Sequence, residues 1–304
     1  MTLAYWQTIW GGSALAAYAG ASGVPRAVWD FSKQVYTSGW SLARPSAAVT
    51  TTGAGDLVPV ASDVARIVGA GANRGLMLEP ASANRSSAPS APISLAGVYK
   101  TGDAAATLSV ADDTALLGAA GLGALTGGKA FLLDNSAGTG NARMALQRTV
   151  DSTGDWVASA WVRATGPFTL RTGYGGYPPI GQLPGDPAVT SGGYVRVRRD
   201  RTQKSAGAFN AADVLWCDIA SGAKAWIALP QWEPGRTGMT SIIQTDGSMT
   251  SRAAETLVLS PPPGTYDITV TFADGSSTTT ENAVVTDGFS VAAQEKRVTM
   301  VRAY

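Results

Sequence analysis

Short apolar runs separated by turn-forming residues are the feature that most constrains the fold of this chain. The run DWVASAWVRA, residues 155–164, places Val157 and Trp161 on one side of a strand and four apolar residues, Trp156, Ala158, Ala160 and Val162, on the other. The runs FTLRTGY, YVRVRRD, DVLWCDI and KAWIALPQW follow between clusters of Gly, Pro, Ser and Asp. Apolar residues on both faces, with turn signals at intervals of roughly 10 to 20 residues, predict an all-β sandwich.

Composition and charge limit the class of protein and its partners. With 304 residues, 45% of them hydrophobic and only 15% charged, the chain is expected to fold into a globular protein. Its net charge is +1, so it lacks the excess of Lys and Arg that nucleic acid or an anionic membrane surface would attract. The sequence therefore predicts no nucleic-acid partner.

The chain has no histidine and one cysteine. Ser-His-Asp and Cys-His arrangements and HExxH zinc sites are thereby excluded. Cys217 lies between apolar residues and is expected to be a buried core residue. Acidic residues remain that could cleave glycosides as a pair, but each is more simply interpreted as a solvated loop residue: Asp112, Asp113, Asp186, Asp200 and Asp213. The sequence predicts no enzyme, no catalytic residue, no metal site and no cofactor.

The first 24 residues carry no charge. They lack the basic start of a secretory signal, and their glycines make them a poor membrane span, so neither export nor membrane insertion is expected. Tyr5, Trp6 and Trp10 are candidate anchors of a segment that docks onto a partner protein. The alternative is a strand or short helix of the main core.

The C-terminal residues 261–304 have the pattern of a small β module. Pro261 to Pro263 form a stiff boundary, and Tyr266, Ile268, Val270 and Phe272 then alternate onto one face. Asp-Gly pairs at 274 and 287 indicate tight turns. About forty residues are few for independent stability, so this module is expected to lean on a neighbour or on another chain.

Three segments carry a family resemblance: GLMLEPASANR at 75–85, VASAWVRA at 157–164 and LPQWEPGRTGMTSIIQTDGSMTSRAAE at 229–255. In this order they resemble tail-fibre and spike proteins of tailed phages and gene-transfer agents, which have a leader like GLLLEPASTNLL and a closing segment like QLEEGSFATSYIPTTGSAVTRAAD. The positions that match the closing pattern are Gln231, Glu233, Gly235, Thr240, Ser241, Ile242, Thr245, Gly247, Arg252, Ala253 and Ala254.

The resemblance implies a jelly-roll-like β-sandwich similar to carbohydrate-binding modules. It divides the chain into an N-terminal docking segment (1–27), an extended leader that wraps the sandwich (28–92), the jelly-roll domain (93–260) and the small C-terminal β module (261–304). The closing segment becomes an extended strap, in which Trp232, Ile242 and Ile243 cover the sandwich edge and polar residues satisfy backbone groups. Arg252 is expected to pair with an acidic group.

The function that the resemblance implies is that of a virion structural protein: a tail fibre, a baseplate-associated protein or a head spike. Such a protein contacts host cell-surface polysaccharide during adsorption and docks onto other virion proteins through its N-terminal segment. It is expected to be a homo-oligomer on the virion surface, made in the bacterial cytoplasm without a signal peptide. The alternatives are a polysaccharide-cleaving depolymerase on the same scaffold and a purely structural assembly or decoration protein.

The candidate sugar-binding residues lie on and near one glycine-rich loop. Tyr174 and Tyr177 occupy RTGYGGYPP, residues 171–179, together with Arg171, and Tyr194 follows further along the chain. Sugars stack on aromatic rings and accept hydrogen bonds from Arg. Core packing or a subunit contact is the competing interpretation of this loop.

Replacing both Tyr174 and Tyr177 by Ala should weaken glycan binding severalfold or more and leave the melting temperature unchanged, because a stacking contact is typically worth ~1 kcal/mol. Binding to purified host polysaccharide, measured beside thermal unfolding, checks this. Unchanged binding with a melting temperature several degrees lower would make these tyrosines part of the scaffold.

Overall fold

The computed structural model describes residues 23–52, 56–86, 88–146, 154–172, 188–203, 215–235, 240–246, 248, 250–294 and 296–304. The chain forms two compact units. Unit 1 contains the described residues within Met1–Ala47, Val60–Ala81 and Ala253–Tyr304, and unit 2 contains those within Ala48–Pro59 and Ser82–Arg252. The segments of unit 2 thus lie between those of unit 1 along the chain, and part of the leader shares unit 1 with the C-terminal module.

The described residues form 23 strands and two short α-helices. The helices are α1 (Thr114–Ala119) and α2 (Gly123–Thr126). A 3-10 turn covers Gly71–Asn73. In chain order the strands are β1 (Ala27–Asp30), β2 (Val35–Tyr36), β3 (Gly39–Ala43), β4 (Ala48–Thr51), β5 (Leu57–Val60), β6 (Ile67–Val68), β7 (Gly75–Leu78), β8 (Ser82–Asn84), β9 (Val98–Gly102), β10 (Thr107–Asp112), β11 (Lys129–Asp134), β12 (Ala142–Leu146), β13 (Gly154–Ala164), β14 (Phe168–Thr172), β15 (Val195–Gln203), β16 (Leu215–Ile219), β17 (Lys224–Pro234), β18 (Thr250–Arg252), β19 (Thr256–Ser260), β20 (Gly264–Phe272), β21 (Ser277–Val285), β22 (Phe289–Ala292) and β23 (Lys296–Ala303).

Unit 2 is a jelly roll. Its five-stranded sheet has the order β10-β11-β17-β13-β15 and its four-stranded sheet the order β14-β16-β12-β9. Successive strands from β11 to β17 alternate between the two sheets, and they pair antiparallel as β11 with β17, β12 with β16 and β13 with β15. This is the folded-over double hairpin of a jelly roll. The predicted all-β sandwich is confirmed.

The core of unit 2 lies between these two sheets and draws on every strand of both. Apolar residues at alternate positions point inward, as the period of two requires. Cys217 is one of them and is fully buried, as the sequence predicted. The other fully buried core side chains include Phe131, Leu133, Met144, Ala158, Ala160, Val162, Ala225 and Ile227.

A second apolar cluster covers part of the outer face of the five-stranded sheet. Leu117, Leu122 and Leu125 of the helical segment are at most 1% exposed and pack with Val49 and Ile242. Burying this face restricts access to one end of the sheet.

Unit 1 is a second β-sandwich. Its larger sheet has the order β2-β1-β23-β20-β21, with β7 pairing β23 and β6, and its smaller sheet has the order β22-β19-β3. The alternating side chains of β20, Tyr266, Ile268, Val270 and Phe272, are 1 to 5% exposed and enter the core, as predicted. Strand β23 pairs with β20 on one edge and with β1 and β7 on the other. The C-terminal module therefore leans on strands from the start of the same chain.

Four fully or nearly fully buried charges form an ion-pair network inside unit 1. Glu255 accepts from Arg66 Nη2 at 2.6 Å and from Arg44 Nη1 at 3.2 Å, and Arg66 also contacts Glu79 at 2.7 Å. The backbone N–H of Glu79 donates to Glu255 Oε2 at 2.7 Å. These ion pairs join the leader, which contributes the two arginines and Glu79, to Glu255 of the closing segment. Each buried charge has an opposite charge as its partner, which is the condition under which buried charges are tolerated.

A group of buried polar side chains, which we call the clasp, holds the closing segment in unit 2: Ser82, Asn84, Gln231, Glu233 and Thr240. Asn84 Nδ2 donates to the carbonyls of Pro230 and Ile243 at 3.2 and 3.1 Å. Its Oδ1 accepts from the backbone N–H of Trp232 and Ser86, each at 3.0 Å.

Glu233 completes the clasp. It is fully buried and accepts from Ser82 Oγ at 2.7 Å and from Thr240 Oγ1 at 2.5 Å. The Gln231 side chain bonds two backbone groups of the closing segment: it donates to the carbonyl of Ser241 and accepts from the N–H of Ile243.

The apolar residues of the strap lie where the sequence analysis expected them. Trp232, Ile242 and Ile243 are 3 to 5% exposed. Arg252 is buried as well and donates to Ser241 Oγ at 2.6 Å. The closing segment is therefore an extended cover whose backbone groups are paired by side chains instead of by a continuous ladder.

Replacing Asn84 by Ala should lower the free energy of unfolding by at least about 2 kcal/mol, because it leaves several buried backbone groups without a partner. Urea denaturation followed by circular dichroism measures the change. Asn141→Ala, at an exposed asparagine of the same unit, is the control and should change stability little. Equal stability of the two variants would contradict the role given to the clasp.

Candidate functional site

The outer face of the four-stranded sheet carries a row of polar side chains, which with one neighbouring tyrosine we call the Arg143 face: Tyr99, Thr101, Arg143, Thr169 and Asp218. Thr101 pairs with Arg143, Arg143 with Asp218, and Asp218 with Thr169, so the row crosses all four strands. The residues before and after the row point into the core on β12, β14 and β16, and Val98 does so on β9. The strict alternation of β-strands therefore fixes these five side chains on the outer side.

An ion pair lies at the centre of the Arg143 face. Arg143 Nε is 3.1 Å from Asp218 Oδ1, and the arginine side chain is 40% exposed while the aspartate side chain is 7% exposed. The hydroxyl oxygen of Thr101 is buried and has no hydrogen-bond partner in the described part of the chain. Tyr99 is half-buried beside the row. Both Asp218 carboxylate oxygens are sealed from solvent as well, so the accessible parts of the face are the Arg143 side chain, Thr169 and the ring of Tyr99.

Cys217 lies directly beneath this face, between Trp216 and Asp218 in β16. Burial raises the pKa of its thiol, and the negative charge of Asp218 raises it further. Because the thiolate is the reactive form, this cysteine is held in an unreactive state.

Arg171, a predicted sugar contact, lies in the same sheet. It is two residues beyond Thr169 in β14, and its backbone pairs with that of Trp216. Trp216 pairs in turn with Ala145, and Ala145 with Tyr99, so Arg171 belongs to the next row across the sheet. Tyr174 and Tyr177, and the docking candidates Tyr5, Trp6 and Trp10, lie outside the described residues.

Tyr194, the remaining predicted sugar contact, is 6% exposed and packs in the apolar cluster beneath the helices. Its hydroxyl donates to Asp113 Oδ2 at 2.6 Å. Burial raises the pKa of this phenol, and the carboxylate of Asp113 adds to the effect. A ring so enclosed has no face for stacking, so the structure corrects this assignment: Tyr194 is a core residue.

The acidic residues considered for glycoside cleavage are dispersed where they are described. Asp112 has an 80% exposed side chain and pairs with Lys129 at 3.3 Å, whereas Asp113 is bound by Arg163 and Tyr194. The side chain of Asp200 and the residues Asp186 and Asp213 lie outside the described part. No group of three or more His, Cys, Asp or Glu that could hold a metal ion occurs among the described residues. Within the same residues, no helix combines the length and apolar character needed to cross a membrane.

No family model matches the chain, and no curated protein matches it. One solved structure with which it shares similarity is the enzymatically active domain of tailspike protein 4 of bacteriophage CBA120. That match has a TM-score of 0.28 and 10% sequence identity, and it covers 44% of this chain and 18% of that chain. The comparison thus provides a weak phage tailspike neighbour, and it extends over a small part of that protein's length.

The expectation that this protein is not an enzyme is corrected by the same comparison. The neighbouring domain is described as enzymatically active. A match at this level carries no argument for a particular reaction.

Sequence reasoning missed the residues of the Arg143 face. Thr101, Arg143, Thr169 and Asp218 come from four separate short runs, and all but Thr101 are flanked by apolar residues. Alternation within DVLWCDI and FTLRTGY could have placed Asp218 and Thr169 on outward positions. Bringing them into one row requires the pairing order of the strands, which local pattern does not contain.

The Cys217 thiol should not react with a thiol-specific reagent such as DTNB at pH 8 in the folded protein, and should react fully in urea. Counting released thionitrobenzoate with and without denaturant checks this. Rapid stoichiometric reaction under native conditions would show that the strand beneath the Arg143 face is not packed as described.

Proposed function

We propose that this protein is a virion surface protein whose jelly-roll unit binds host cell-surface polysaccharide on the Arg143 face. The observation that carries the proposal is the row of four hydrogen-bonding side chains that crosses the whole sheet. Strands lie about 4.8 Å apart, so the row extends over about 14 Å. A linear saccharide lying across the strands would contact Arg143 and Thr169, with Tyr99 beside them.

The chemistry of the row matches that of a sugar. Sugar hydroxyls both donate and accept hydrogen bonds, so they can accept from the exposed Arg143 guanidinium and bond in either direction with the Thr169 hydroxyl, while the buried Asp218 holds the arginine in place. The half-buried ring of Tyr99 adds an apolar surface against which a sugar's C–H groups can pack. The face therefore offers a charged donor, a hydroxyl and an apolar ring, which are contacts by which proteins hold carbohydrates.

The location of these side chains on β-strands also favours saccharide binding. Side chains on a hydrogen-bonded sheet lose little freedom when a ligand arrives, so less of the interaction energy is spent on ordering them. The ion pair also fixes the orientation of the guanidinium, since Asp218 below is nearly fully buried.

The virion location is supported by the resemblance of the closing segment to phage tail-fibre and spike proteins. Gln231, Glu233 and Thr240, which match that pattern, are also members of the clasp. The matching residues thus have a defined structural role. In this proposal the N-terminal segment docks onto other virion proteins and the protein acts as a homo-oligomer.

Replacing Arg143 by Gln should weaken binding to bacterial surface polysaccharide by tenfold or more, because hydrogen bonds from a charged group contribute about 1.5 to 3 kcal/mol. The glutamine keeps a donor near Asp218 and preserves the packing of the side chain. Binding to a panel of purified capsular and lipopolysaccharide O-chain preparations, measured by biolayer interferometry, gives the result.

Lys296→Gln is the matched control. Lys296 is 42% exposed and pairs with Asp274 at 2.9 Å, so it resembles Arg143 in exposure and pairing but belongs to unit 1. It should leave binding unchanged. A folded Arg143→Gln protein that binds as tightly as the control overturns the assignment of this face. Reducing ends released in the same samples would reveal cleavage in addition to binding.

A further inference from the structure

The five-stranded sheet has its own polar outer surface, which borders the apolar cluster beneath the helices. Ser109 pairs with Leu132, Leu132 with Trp226, and Trp226 with Arg163, so these residues form one row across β10, β11, β17 and β13. Asp134 and Lys224 pair in the next row. We call Ser109, Asp134, Arg163, Lys224 and Trp226 the Trp226 patch.

Arg163 is an unusual member of this patch because it is nearly buried yet retains unused donors. Its side chain is 9% exposed, and its Nε donates to Asp113 Oδ2 at 2.6 Å. The guanidinium lies over the ring of Trp226, with its carbon 3.4 Å from the ring centroid. The guanidinium is also hydrogen-bonded to the Tyr194 side chain, and its remaining Nη hydrogens have no partner among the described residues.

A buried guanidinium with open donors points to a ligand. The aspartate and the indole together fix its plane, so the Nη groups form a preorganised pair of donors at the surface. Water can occupy them, but a ligand with two adjacent oxygen acceptors fits their fork geometry better. Trp226, partly exposed beside them, offers apolar contact to the same ligand.

The charges of the patch select the class of ligand. Lys224 Nζ contacts Asp134 Oδ2 at 2.6 Å, and Arg163 is paired with Asp113, so both cations are already compensated. Burial alone would raise the pKa of Asp134, but hydrogen bonds from Lys224 and Ser136 outweigh it and hold the pKa at about 2. An anionic ligand would have to compete with these carboxylates, whereas a neutral ligand would not.

We propose that the Trp226 patch is a second saccharide-binding site, on the sheet opposite the Arg143 face, and that it takes a neutral sugar with vicinal hydroxyls. The Arg163 Nη donors bind two adjacent hydroxyl oxygens, and Trp226 packs against the ring. The exposed Ser109 and the Asp134 carboxylate lie in the rows alongside. This inference rests on the proposed function in that both sites bind carbohydrate, but the two sites are separate.

Two sites on opposite sheets have a consequence for adsorption. Each can hold a different polysaccharide strand, or two points of one long strand. Weak binding at each site then adds up to strong attachment through effective concentration, without any new contact.

Counting the sites by titration calorimetry tests the proposal on the full-length protein. The probes are neutral malto-, cello- and manno-hexaoses, with hexagalacturonate as the charged counterpart. The wild type should bind a neutral hexaose at two sites per chain. Arg143→Gln should leave one site, and Arg143→Gln combined with Trp226→Ala should leave none.

The outcomes separate the two proposals. A single wild-type site that Arg143→Gln abolishes overturns the Trp226 patch and leaves the Arg143 face standing. A single site that Trp226→Ala alone abolishes supports the patch and overturns the function given to the Arg143 face. Tighter binding of hexagalacturonate than of the neutral probes at the patch, or no binding of any probe, overturns the inference.

Trp226 contacts the apolar cluster beneath the helices, so the alanine variant is accompanied by a second one. Trp226→Leu keeps an apolar side chain against that cluster while removing the indole. It should lose the second site with a melting temperature within a few degrees of wild type. Retention of two sites by a folded Trp226→Leu protein would contradict the proposal.

Discussion

The polar interior of the closing segment is the constraint on which the jelly roll of unit 2 depends. Asn84 bonds four backbone groups at once, and Glu233 is buried with two hydroxyl donors. Side chains take the place of a strand ladder there, so the irregular strap can lie over the sandwich without leaving backbone groups unpaired. Buried polar groups of this kind are tolerated only when every partner is present. Loss of one member should therefore disturb the others.

Local pattern predicted the strands and their inward faces well, because alternation has a simple physical cause. The residues of β20 and the apolar residues of β13 lie where the period of two placed them. The strap residues Trp232 and Ile242 were also expected to be covered. Each of these predictions needs only the neighbouring few residues.

Long-range pairing was not predictable from the sequence. Nothing in the run around Gly75 indicates that β7 lies against β23, although a side chain at this glycine would come within 2.6 Å of the Val298 carbonyl oxygen. For the same reason the C-terminal module was assigned its own segment, whereas its sheet is shared with β1 and β7. Tyr194 was taken for a surface residue because the covering helices cannot be inferred from its own surroundings.

The outer faces of the two jelly-roll sheets each carry an arginine paired with a carboxylate, but the two arginines differ in exposure. On the four-stranded sheet, an exposed arginine stands over a buried carboxylate. On the five-stranded sheet, the arginine itself is buried and stacked on an indole. In both cases the strand backbone supplies rigidity, and a carboxylate fixes the orientation of the guanidinium. Recognition then depends on which donors remain open and on how the nearby charges are compensated.

Hydrogen–deuterium exchange with and without bound bacterial surface polysaccharide tests the central claim most directly. Binding at the Arg143 face should slow exchange in β9, β12, β14 and β16, and leave β19 to β22 of unit 1 unchanged. Protection confined to unit 1, with the four-stranded sheet of unit 2 unaffected at saturating polysaccharide, would contradict the account.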